Sequence, residues 1–263
     1  MSEEELKSMR HSLAHIMAQA IQHLWPQAKF GVCPAIDNGF YYDIYLDNGT
    51  ISEADLPKIE EEMRKIVADN YPFERRDVSV EEAIDWAIKG DQTFKMELLN
   101  DLKRSGTTVA SELAGEKMGS VSDGDSKVET VSLYSQGDYT DLCRGGHVDS
   151  TGKVGAFKLT KTAGAYWRGN ENNPQMQRIY GVAFATQEEL DEYLNRLEIA
   201  KQRDHRKLGK ELDLYTTSPL VGIGLPLFTP RGTILRDIVA RYSNQLRQKF
   251  GFEKVWTPHI TKK

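Results

Sequence analysis

The sequence predicts an α+β fold, because helical and strand patterns occur in separate runs along its 263 residues. In residues 4–24 apolar side chains recur every three or four positions, which is typical of an amphipathic helix that Pro26 ends. Two strand-like stretches, 29–36 and 40–46, flank Asp37-Asn38-Gly39, and this turn signal predicts a hairpin. A helix followed by a hairpin in this way is the start of an α+β domain.

Capping boxes mark the start of two further helices. Ser52-x-x-Asp55 precedes the apolar pattern of residues 56–68, and Ser79-x-x-Glu82 precedes that of residues 83–88. In both, a serine side chain and an acidic side chain satisfy backbone N–H groups that the first helical turn leaves free. These boxes therefore predict where each helix begins.

The second half of the chain begins with residues 104–127, whose Ser, Gly, Thr and Asp content predicts a loop or small insertion. Strands are predicted at residues 128–134, 155–159 and 177–184. Thr186-x-x-Glu189 then caps a long helix, which we expect to run to about residue 212 as the link between domains. Beyond it lie a Gly/Pro-rich stretch at 221–230, a predicted helix at 233–250 and a predicted strand at 254–257.

Composition restricts the class of protein. With 39% hydrophobic and 28% charged residues the chain is globular rather than disordered, and no apolar run is long enough to cross a membrane. The acidic start and the two cysteines, too few for a disulfide framework, predict a soluble, cytoplasmic protein. In residues 196–263 Lys and Arg outnumber Asp and Glu by 14 to 6, so this end faces phosphate or is a solvated helix surface.

Two pairs of metal- and proton-binding side chains carry the chemical signal. His11 and His15 lie four residues apart on the first predicted helix, which puts both imidazoles on one face. Cys143 and His147 are also four apart, and the glycines between them allow a tight turn that brings His147 back toward Cys143. The four make a plausible tetrahedral zinc set; the alternative is that His11 packs on its helix and His147 is an ordinary loop residue.

The chain resembles the threonyl-tRNA synthetase family along nearly its whole length. The motifs that carry this resemblance follow one another in order: RHSLAH at 10–15, GVCPAIDNGFYYD at 31–43, DLCRGGH at 141–147, FKL and TAGAYWRG within 157–169, QRIYG at 177–181 and RDHRKLGKELDLY at 203–215. GFEKVWTP at 251–258 resembles the first class II synthetase motif, which serves dimerisation in the family. The second and third motifs, which hold ATP and the adenylate, have no counterpart in these residues.

The resemblance implies a domain division and a fold. Residues 1–185 are expected to form an editing domain with the fold of the threonyl/alanyl-tRNA synthetase second additional domain. Residues 186–212 are expected to form the linker helix, and residues 213–263 the N-terminal part of a class II catalytic domain that contains motif 1 only.

The implied function is hydrolysis of serine wrongly esterified to threonine tRNA. Serine lacks only one methyl group of threonine, and one methyl group yields about 1–3 kcal/mol of discrimination, so a second sieve is needed. One alternative is a free-standing zinc-dependent deacylase of the alanyl-editing type, against which the threonyl-type linker argues. Another is a non-catalytic tRNA-binding or dimerisation module, against which the intact polar residues argue.

The resemblance also assigns roles to individual residues. Its editing pocket corresponds to His11, His15, Lys95, Asp141, Cys143 and His147. In this assignment a neutral His11 activates water, Lys95 stabilises the developing oxyanion or the leaving ribose oxygen, and Asp141 binds the substrate ammonium. Cys143 is a nucleophile, a ligand or part of the pocket wall; the wall or a water-orienting role is favoured, because no adjacent base is evident. No cofactor is expected to be required, and any zinc would be held by the tetrad of three histidines and Cys143.

Substrate-binding residues and partners follow from the same resemblance. Tyr42 and Pro34 correspond to neighbours of the terminal adenosine, and Cys33 departs from the pattern because a glycine is expected before the proline. Arg168, beside two aromatic residues, stacks on the tRNA acceptor end or, alternatively, pairs with a carboxylate while Trp167 enters the core. The expected partners are the 3′ acceptor end of threonine tRNA, the rest of the synthetase chain and a second copy bound through motif 1, with no membrane.

Overall fold

The structure is a computed structural model that describes residues 1–105, 128–222 and 224–256. The chain divides into two compact units, Met1–Glu192 and Tyr193–Lys263. Within the described ranges, no helix combines the length and the apolar content that crossing a membrane requires.

The first unit is organised around a long buried helix, α1 (Glu3–Leu24), which confirms the helix predicted at 4–24. Ser2 caps it: the Ser2 hydroxyl accepts from the Glu5 N–H at 3.2 Å, and the Glu5 carboxylate accepts from the Ser2 N–H at 2.6 Å. Most of the apolar stripe of α1, including Leu13 and Ile16, is fully buried. This burial stabilises the helix and holds its polar residues against the strands described next.

An antiparallel five-stranded sheet packs against α1 and α2 (Leu56–Asp69). Its strands, given in spatial order with β2 paired to β3, are β1 (Lys29–Phe30), β3 (Gly39–Tyr45) with β2 (Ala35–Ile36), β8 (Gln175–Phe184) and β7 (Ala156–Tyr166). The predicted hairpin is present, but the expected strand at 29–36 is divided into β1 and β2, because Pro34 has no N–H to donate to a ladder.

A three-stranded sheet forms the second part of the unit. It contains β4 (Glu74–Ser79), β5 (Thr130–Gln136) and β6 (Tyr139–Leu142), with α3 (Val80–Lys89) and α4 (Thr93–Ser105) packed beside it. The sequence analysis does not predict β4, β6 or α4. β4 is an exposed edge strand without apolar alternation and β6 has only four residues, so neither strand has a clear sequence signal. α4 could have been predicted, because the buried residues Phe94, Leu98 and Leu102 recur every four positions.

The expected single linker helix is wrong in one respect, because the structure contains two helices, α5 (Gln187–Gln202) and α6 (His205–Glu211). Asp204 lies between them and caps α6, accepting from the Arg206 N–H at 2.8 Å. A capping aspartate starts a new helix rather than continuing an old one.

The second unit contains the short strands β9 (Tyr215–Thr216) and β10 (Leu227–Phe228) and the helix α7 (Pro230–Lys249). α7 confirms the helix predicted at 233–250, and it starts earlier because Thr229 caps it. The strand expected at 254–257 is wrong for residues 254–256, which form no strand, and residue 257 lies outside the described residues. Residues 106–127 of the predicted loop also lie outside the described residues.

Candidate functional site

Four side chains meet where α1 passes the end of β6. His11 and His15 come from α1, while Cys143 and His147 come from the segment after β6. Their potential ligand atoms all lie within 4.8 Å of one another. The Cys143 Sγ is 3.3 Å from the Nε2 atoms of both His11 and His147. The sequence spacing predicted two pairs, and the tertiary structure joins them into one tetrad.

The turn between Cys143 and His147 depends on glycine. Gly145 and Gly146 have φ values of 104° and 80°, which side chains rarely adopt. A Cβ atom on Gly145 would also lie 2.3 Å from the Tyr134 hydroxyl oxygen. The turn folds His147 back as the sequence predicted, and the Gly145 N–H donates to the Cys143 sulfur at 3.3 Å.

The position of one proton in the tetrad follows from its neighbours. The Ser12 hydroxyl donates to the Ser8 carbonyl at 2.9 Å and accepts from the Val148 N–H at 3.0 Å. Its single proton is therefore used, so it can only accept from His147 Nδ1, which lies 3.4 Å away. With a proton on Nδ1, His147 Nε2 carries the lone pair that faces the thiol of Cys143.

Burial favours the uncharged forms of His15, His147 and Cys143. The pKa of His15 lies well below its usual value because the ring is completely buried, and the neighbouring His11 and Lys95 lower it further. Burial also lowers the pKa of His147, with contributions from His15 and His11. Burial raises the pKa of the Cys143 thiol to about 12. Near pH 7 His15 and His147 are thus neutral imidazoles, and Cys143 is a protonated thiol.

A buried ion pair lies behind the tetrad. Lys95 of α4 places its Nζ 2.7 Å from Asp141 Oδ1 and 3.0 Å from the Tyr42 hydroxyl, which itself donates to Asp141 Oδ2. The Leu142 N–H donates to Asp141 Oδ1 at 2.8 Å. Lys95 and Asp141 are only 2% and 1% exposed, so both charges depend on each other for solvation. His15 Nε2, 3.8 Å from Asp141 Oδ2, connects this pair to the tetrad.

The structure therefore brings together the six polar residues that the resemblance assigned to one pocket. It places Lys95, Asp141 and Tyr42 beneath the surface, while His11 and His147 are half-buried. Both Asp141 oxygens already accept hydrogen bonds, and the Tyr42 ring is fully buried. The roles assigned to Asp141 on the substrate ammonium and to Tyr42 beside the adenosine stay predictions.

Cys33 and Pro34 lie between β1 and β2, next to the tetrad. The Cys33 sulfur is 3.7 Å from His15 Nε2 and 4.0 Å from His11 Nε2, and Pro34 beside it is half-buried. The sequence reading noted Cys33 only as a departure from glycine. Sequence analysis does not identify Tyr139, whose hydroxyl lies 3.5 Å from that of Tyr42. The available signal is that Tyr139 comes two residues before Asp141 on one strand, so both side chains lie on the same face.

Arg168 lies in a different environment. Its Nη2 is 2.7 Å from Asp101 Oδ2 and 3.6 Å from Glu97 Oε2. Trp167 is 3% exposed, and its indole N–H donates to Glu97 at 2.8 Å. This is the arrangement of the alternative interpretation, in which Trp167 enters the core and Arg168 pairs with carboxylates. Contact of Arg168 with tRNA stays a prediction.

The tetrad fits a zinc ion by donor type and geometry. Zn–N distances of about 2.0–2.1 Å and Zn–S distances of about 2.3 Å imply ligand-to-ligand distances of about 3.3–3.8 Å in a tetrahedron. The two 3.3 Å contacts of the Cys143 sulfur already match that range. In addition, His15 Nδ1 is a buried nitrogen without a hydrogen-bond partner among the described residues. If the four side chains moved slightly closer together, their ligand atoms would surround a metal ion.

Comparison with known proteins gives consistent matches. Residues 131–180 match the family described as threonyl and alanyl tRNA synthetase second additional domain. The chain is 49% identical to the threonine–tRNA ligase of Geobacillus sp. (strain WCH70), over 97% of this chain and 36% of that protein. It is 48% identical to threonine–tRNA ligase 1 of Bacillus subtilis (strain 168), over 100% of this chain and 37% of the relative. The chain thus spans little more than a third of the length of these relatives.

Proposed function

We propose that this chain, which carries a threonyl and alanyl tRNA synthetase second additional domain and is homologous to threonine–tRNA ligases over 97% of its length, hydrolyses the ester bond of seryl-tRNA. The substrate would be threonine tRNA that carries serine in error. The tetrad beside the buried pair of Lys95 and Asp141 is the observation that carries this proposal. Ester hydrolysis needs an activated water and stabilisation of a developing oxyanion, and these are the groups suited to both.

His11 is the residue that we assign to water activation. It is half-buried, whereas His15 is completely buried, so of these two histidines His11 is the one that a substrate can reach. A positioned general base contributes about 10²–10⁴-fold to a rate. His15 instead positions the site, since it belongs to the tetrad and its Nε2 lies 3.8 Å from Asp141 Oδ2.

Cys143 is proposed to orient its neighbours rather than to attack the ester. A nucleophilic cysteine needs an appreciable thiolate fraction, but burial raises the pKa of Cys143 to about 12. Its proton instead fits the hydrogen bond to His147 Nε2. Hydrolysis would therefore proceed by direct attack of water, with no covalent intermediate on the protein.

Lys95 and Asp141 are proposed to act on the charges of the substrate. The developing oxyanion or the leaving ribose oxygen would bind Lys95, and the substrate ammonium would bind Asp141. Since each is now bonded to the other, the substrate must exchange for part of that ion pair. Such an exchange would draw both groups into the reaction only when an aminoacyl ester is present.

The test is single-turnover hydrolysis of seryl-tRNA and of threonyl-tRNA, with tRNA affinity measured separately. His11→Ala should slow seryl-tRNA hydrolysis by about 10²–10⁴-fold with little loss of affinity, because affinity comes mainly from phosphate contacts. Lys95→Ala should act in the same way, while Asp141→Ala should weaken the preference for serine. His205→Ala removes an exposed histidine of α6 and is the matched control. Parent rates for both His11→Ala and Lys95→Ala would refute the site.

A second candidate is hydrolysis assisted by zinc, which the fit of the tetrad favours. His11, His15, Cys143 and His147 would hold the ion, which would supply a bound water of lowered pKa. Hydrolysis that continues at the parent rate after chelation and metal analysis supports the metal-independent reaction. Stoichiometric zinc that is lost together with activity in His15→Ala supports the zinc reaction instead.

The remaining proposals concern organisation and partners. Residues 1–185 would be the editing domain, 186–212 the linker and 213–263 the start of a class II catalytic domain, with dimer contacts through motif 1. The 3′ acceptor end of threonine tRNA would be the nucleic-acid partner. A non-catalytic binding module would bind tRNA without hydrolysing seryl-tRNA, and the same assay separates these outcomes.

A further inference from the structure

The C-terminal end of α1 is joined to two other elements by a group of polar side chains. His23 Nδ1 lies 2.8 Å from Glu62 Oε1 of α2, and His23 Nε2 lies 3.0 Å from Asp138 Oδ1. Asp138 is in the turn between β5 and β6, and its Oδ1 also accepts from the Gln19 amide at 2.9 Å. We name these four side chains the Asp138 junction.

β6 follows α1 in the opposite direction, from the Asp138 junction to the tetrad. Three contacts between α1 and the chain of β6 occur in order: His23 with Asp138, His15 with Asp141, and His11 with Cys143. Between the first and the third contact, α1 advances by about 18 Å and the extended chain by about 17 Å. Because these two lengths match, the position of β6 along α1 decides whether Cys143 reaches His11.

We propose that the Asp138 junction positions β6 along α1 and so sets the distances within the tetrad, and that it holds β6 most firmly when His23 is protonated. This role rests on the proposed hydrolysis, which uses residues of both elements. Gln19, His23 and Asp138 are positioning residues in this proposal, since they act through α1 and β6. Position matters for the rate, because a displacement of about 1 Å in a catalytic group can slow a reaction about 100-fold.

The proton on His23 matters because both ring nitrogens of this side chain face a carboxylate. Glu62 lies at Nδ1 and Asp138 at Nε2. An imidazolium donates a hydrogen bond from each nitrogen, whereas a neutral imidazole has one N–H and donates from one nitrogen only. Loss of the proton therefore leaves a lone pair that faces a carboxylate, and one of the two contacts must lengthen. The ring then loses one of the two supports that hold it in place.

The charges around His23 favour its protonated form. Partial burial alone would lower the pKa of His23, but Asp138 and Glu62 raise it above its usual value of 6.5. His23 and Lys65 in turn lower the pKa of Glu62, so this carboxylate is ionised near pH 7. The other titratable groups near the junction come from α2 and the segment after it: Lys58, Glu61, Lys65, Asp69 and Tyr71. The two carboxylates in direct contact with His23 are its nearest charges.

The protonation of His23 is tested by NMR titration of the full chain with isotope-labelled histidine. We expect a pKa of His23 above 6.5, with protons on both ring nitrogens at lower pH. Asp138→Asn and Glu62→Gln should each lower that pKa, because each removes one carboxylate partner. Glu61→Gln is the matched control with a much smaller effect, since Glu61 is 72% exposed and contacts Lys65. A His23 pKa at or below 6.5 in the parent chain would overturn the dependence on protonation.

The positioning role is tested by single-turnover hydrolysis of seryl-tRNA. The Asp138 side chain is 70% exposed, so its ion pair with His23 contributes little by itself. Gln19, however, is 1% exposed, and its amide would lose an acceptor. Asp138→Ala should therefore slow hydrolysis about three- to tenfold with unchanged tRNA affinity.

Variants of His23 provide the pH dependence. His23→Phe should slow hydrolysis below the measured pKa of His23, and the ratio of the parent rate to the variant rate should fall as the pH rises through that pKa. His23→Arg keeps a cation with several N–H donors at every pH, so it should stay near the parent rate at low pH. His205→Phe, at an exposed histidine of α6, is the matched control and should keep the parent rate throughout. A ratio for His23→Phe that does not change with pH would contradict the proposal.

Alkylation of Cys143 by iodoacetamide reports on the position of β6 without the reaction. Cys143 is 8% exposed, so labelling requires a local opening between β6 and α1. Asp138→Ala should be labelled about three- to tenfold faster, while circular dichroism shows that the variant is folded. A parent rate of either labelling or hydrolysis in Asp138→Ala would overturn the positioning role. A parent chain that hydrolyses no seryl-tRNA refutes the proposed function, and the titration and the labelling still decide the junction.

Discussion

Replacing Lys95 by methionine tests the buried ion pair at the centre of the site. Methionine keeps an unbranched apolar stem of similar size but removes the ammonium group, which lies 2.7 Å from Asp141 Oδ1 and 3.0 Å from the Tyr42 hydroxyl. The Asp141 carboxylate then stays buried, and it still accepts hydrogen bonds from the Tyr42 hydroxyl and the Leu142 N–H. Neither of these donors carries a charge.

The expected cost is set by this burial. The Lys95 side chain is 3% exposed and that of Asp141 is 1% exposed, and removing one member of such a pair typically costs about 3–5 kcal/mol. The double variant Lys95→Met, Asp141→Leu replaces both charges, so it should recover most of the lost free energy of unfolding. Lys103→Met is the matched control on α4, because Lys103 pairs with Glu81 at 2.8 Å with both side chains exposed. That pair should contribute about 0–1 kcal/mol.

Urea unfolding followed by tryptophan fluorescence measures these free energies, and Trp86 and Trp167 lie in the same unit as the pair. The denaturant slope must stay constant across the variants for the comparison to hold. A loss of less than about 1 kcal/mol in Lys95→Met, equal to that in Lys103→Met, would show that the reasoning about the buried pair is wrong.

The remaining predictions concern protons, thiols and adenylate formation. Burial lowers the pKa values of His15 and His147, so below about pH 6.5 the unfolded chain binds more protons than the folded chain. The contribution of these two histidines to the free energy of unfolding is therefore fully present above about pH 6.5 and is lost as the pH falls below it. Each histidine should contribute up to about 1.4 kcal/mol per pH unit, and a flat stability profile from about pH 7 to 5.5 would contradict this. Iodoacetamide should label Cys143, with its pKa near 12, at least about a hundredfold more slowly near pH 8 in the folded chain than in the unfolded chain, by mass spectrometry. These 263 residues should show no threonine-dependent ATP–pyrophosphate exchange. Measurable exchange would refute the prediction that they contain only the first class II motif.

Local sequence signals predicted most of the regular elements where each element is stabilised by its own residues. Helix starts show how far local signals reach. Ser52 and Asp55 form the predicted capping box, and Ser79 caps α3 by accepting from the Glu82 N–H, which is one half of the predicted box. The box at Ser2 was found only in the structure. The linker was harder, because a basic run that continues the helical pattern concealed the cap at Asp204. β4 was missed because its polar residues form an edge strand whose pairing with β5 comes from distant residues.

For the candidate site, too, some features could be predicted from local sequence and others depend on the tertiary structure. The sequence was sufficient for the two four-residue pairs, the glycine turn before His147 and the motifs that indicate the family, since helical spacing, turn geometry and motif order are local properties. Only the tertiary structure brings His11 to Cys143, because a contact between residues so far apart depends on how α1 and β6 pack. The same packing turns Lys95 from an ordinary helical lysine into the partner of Asp141, and Cys33 from a departure in a hairpin into a second sulfur at the cluster. Burial is decided only by the complete core, so the lowered pKa values of His15 and His147 and the raised pKa of Cys143 are properties of the folded chain and not of its residue order.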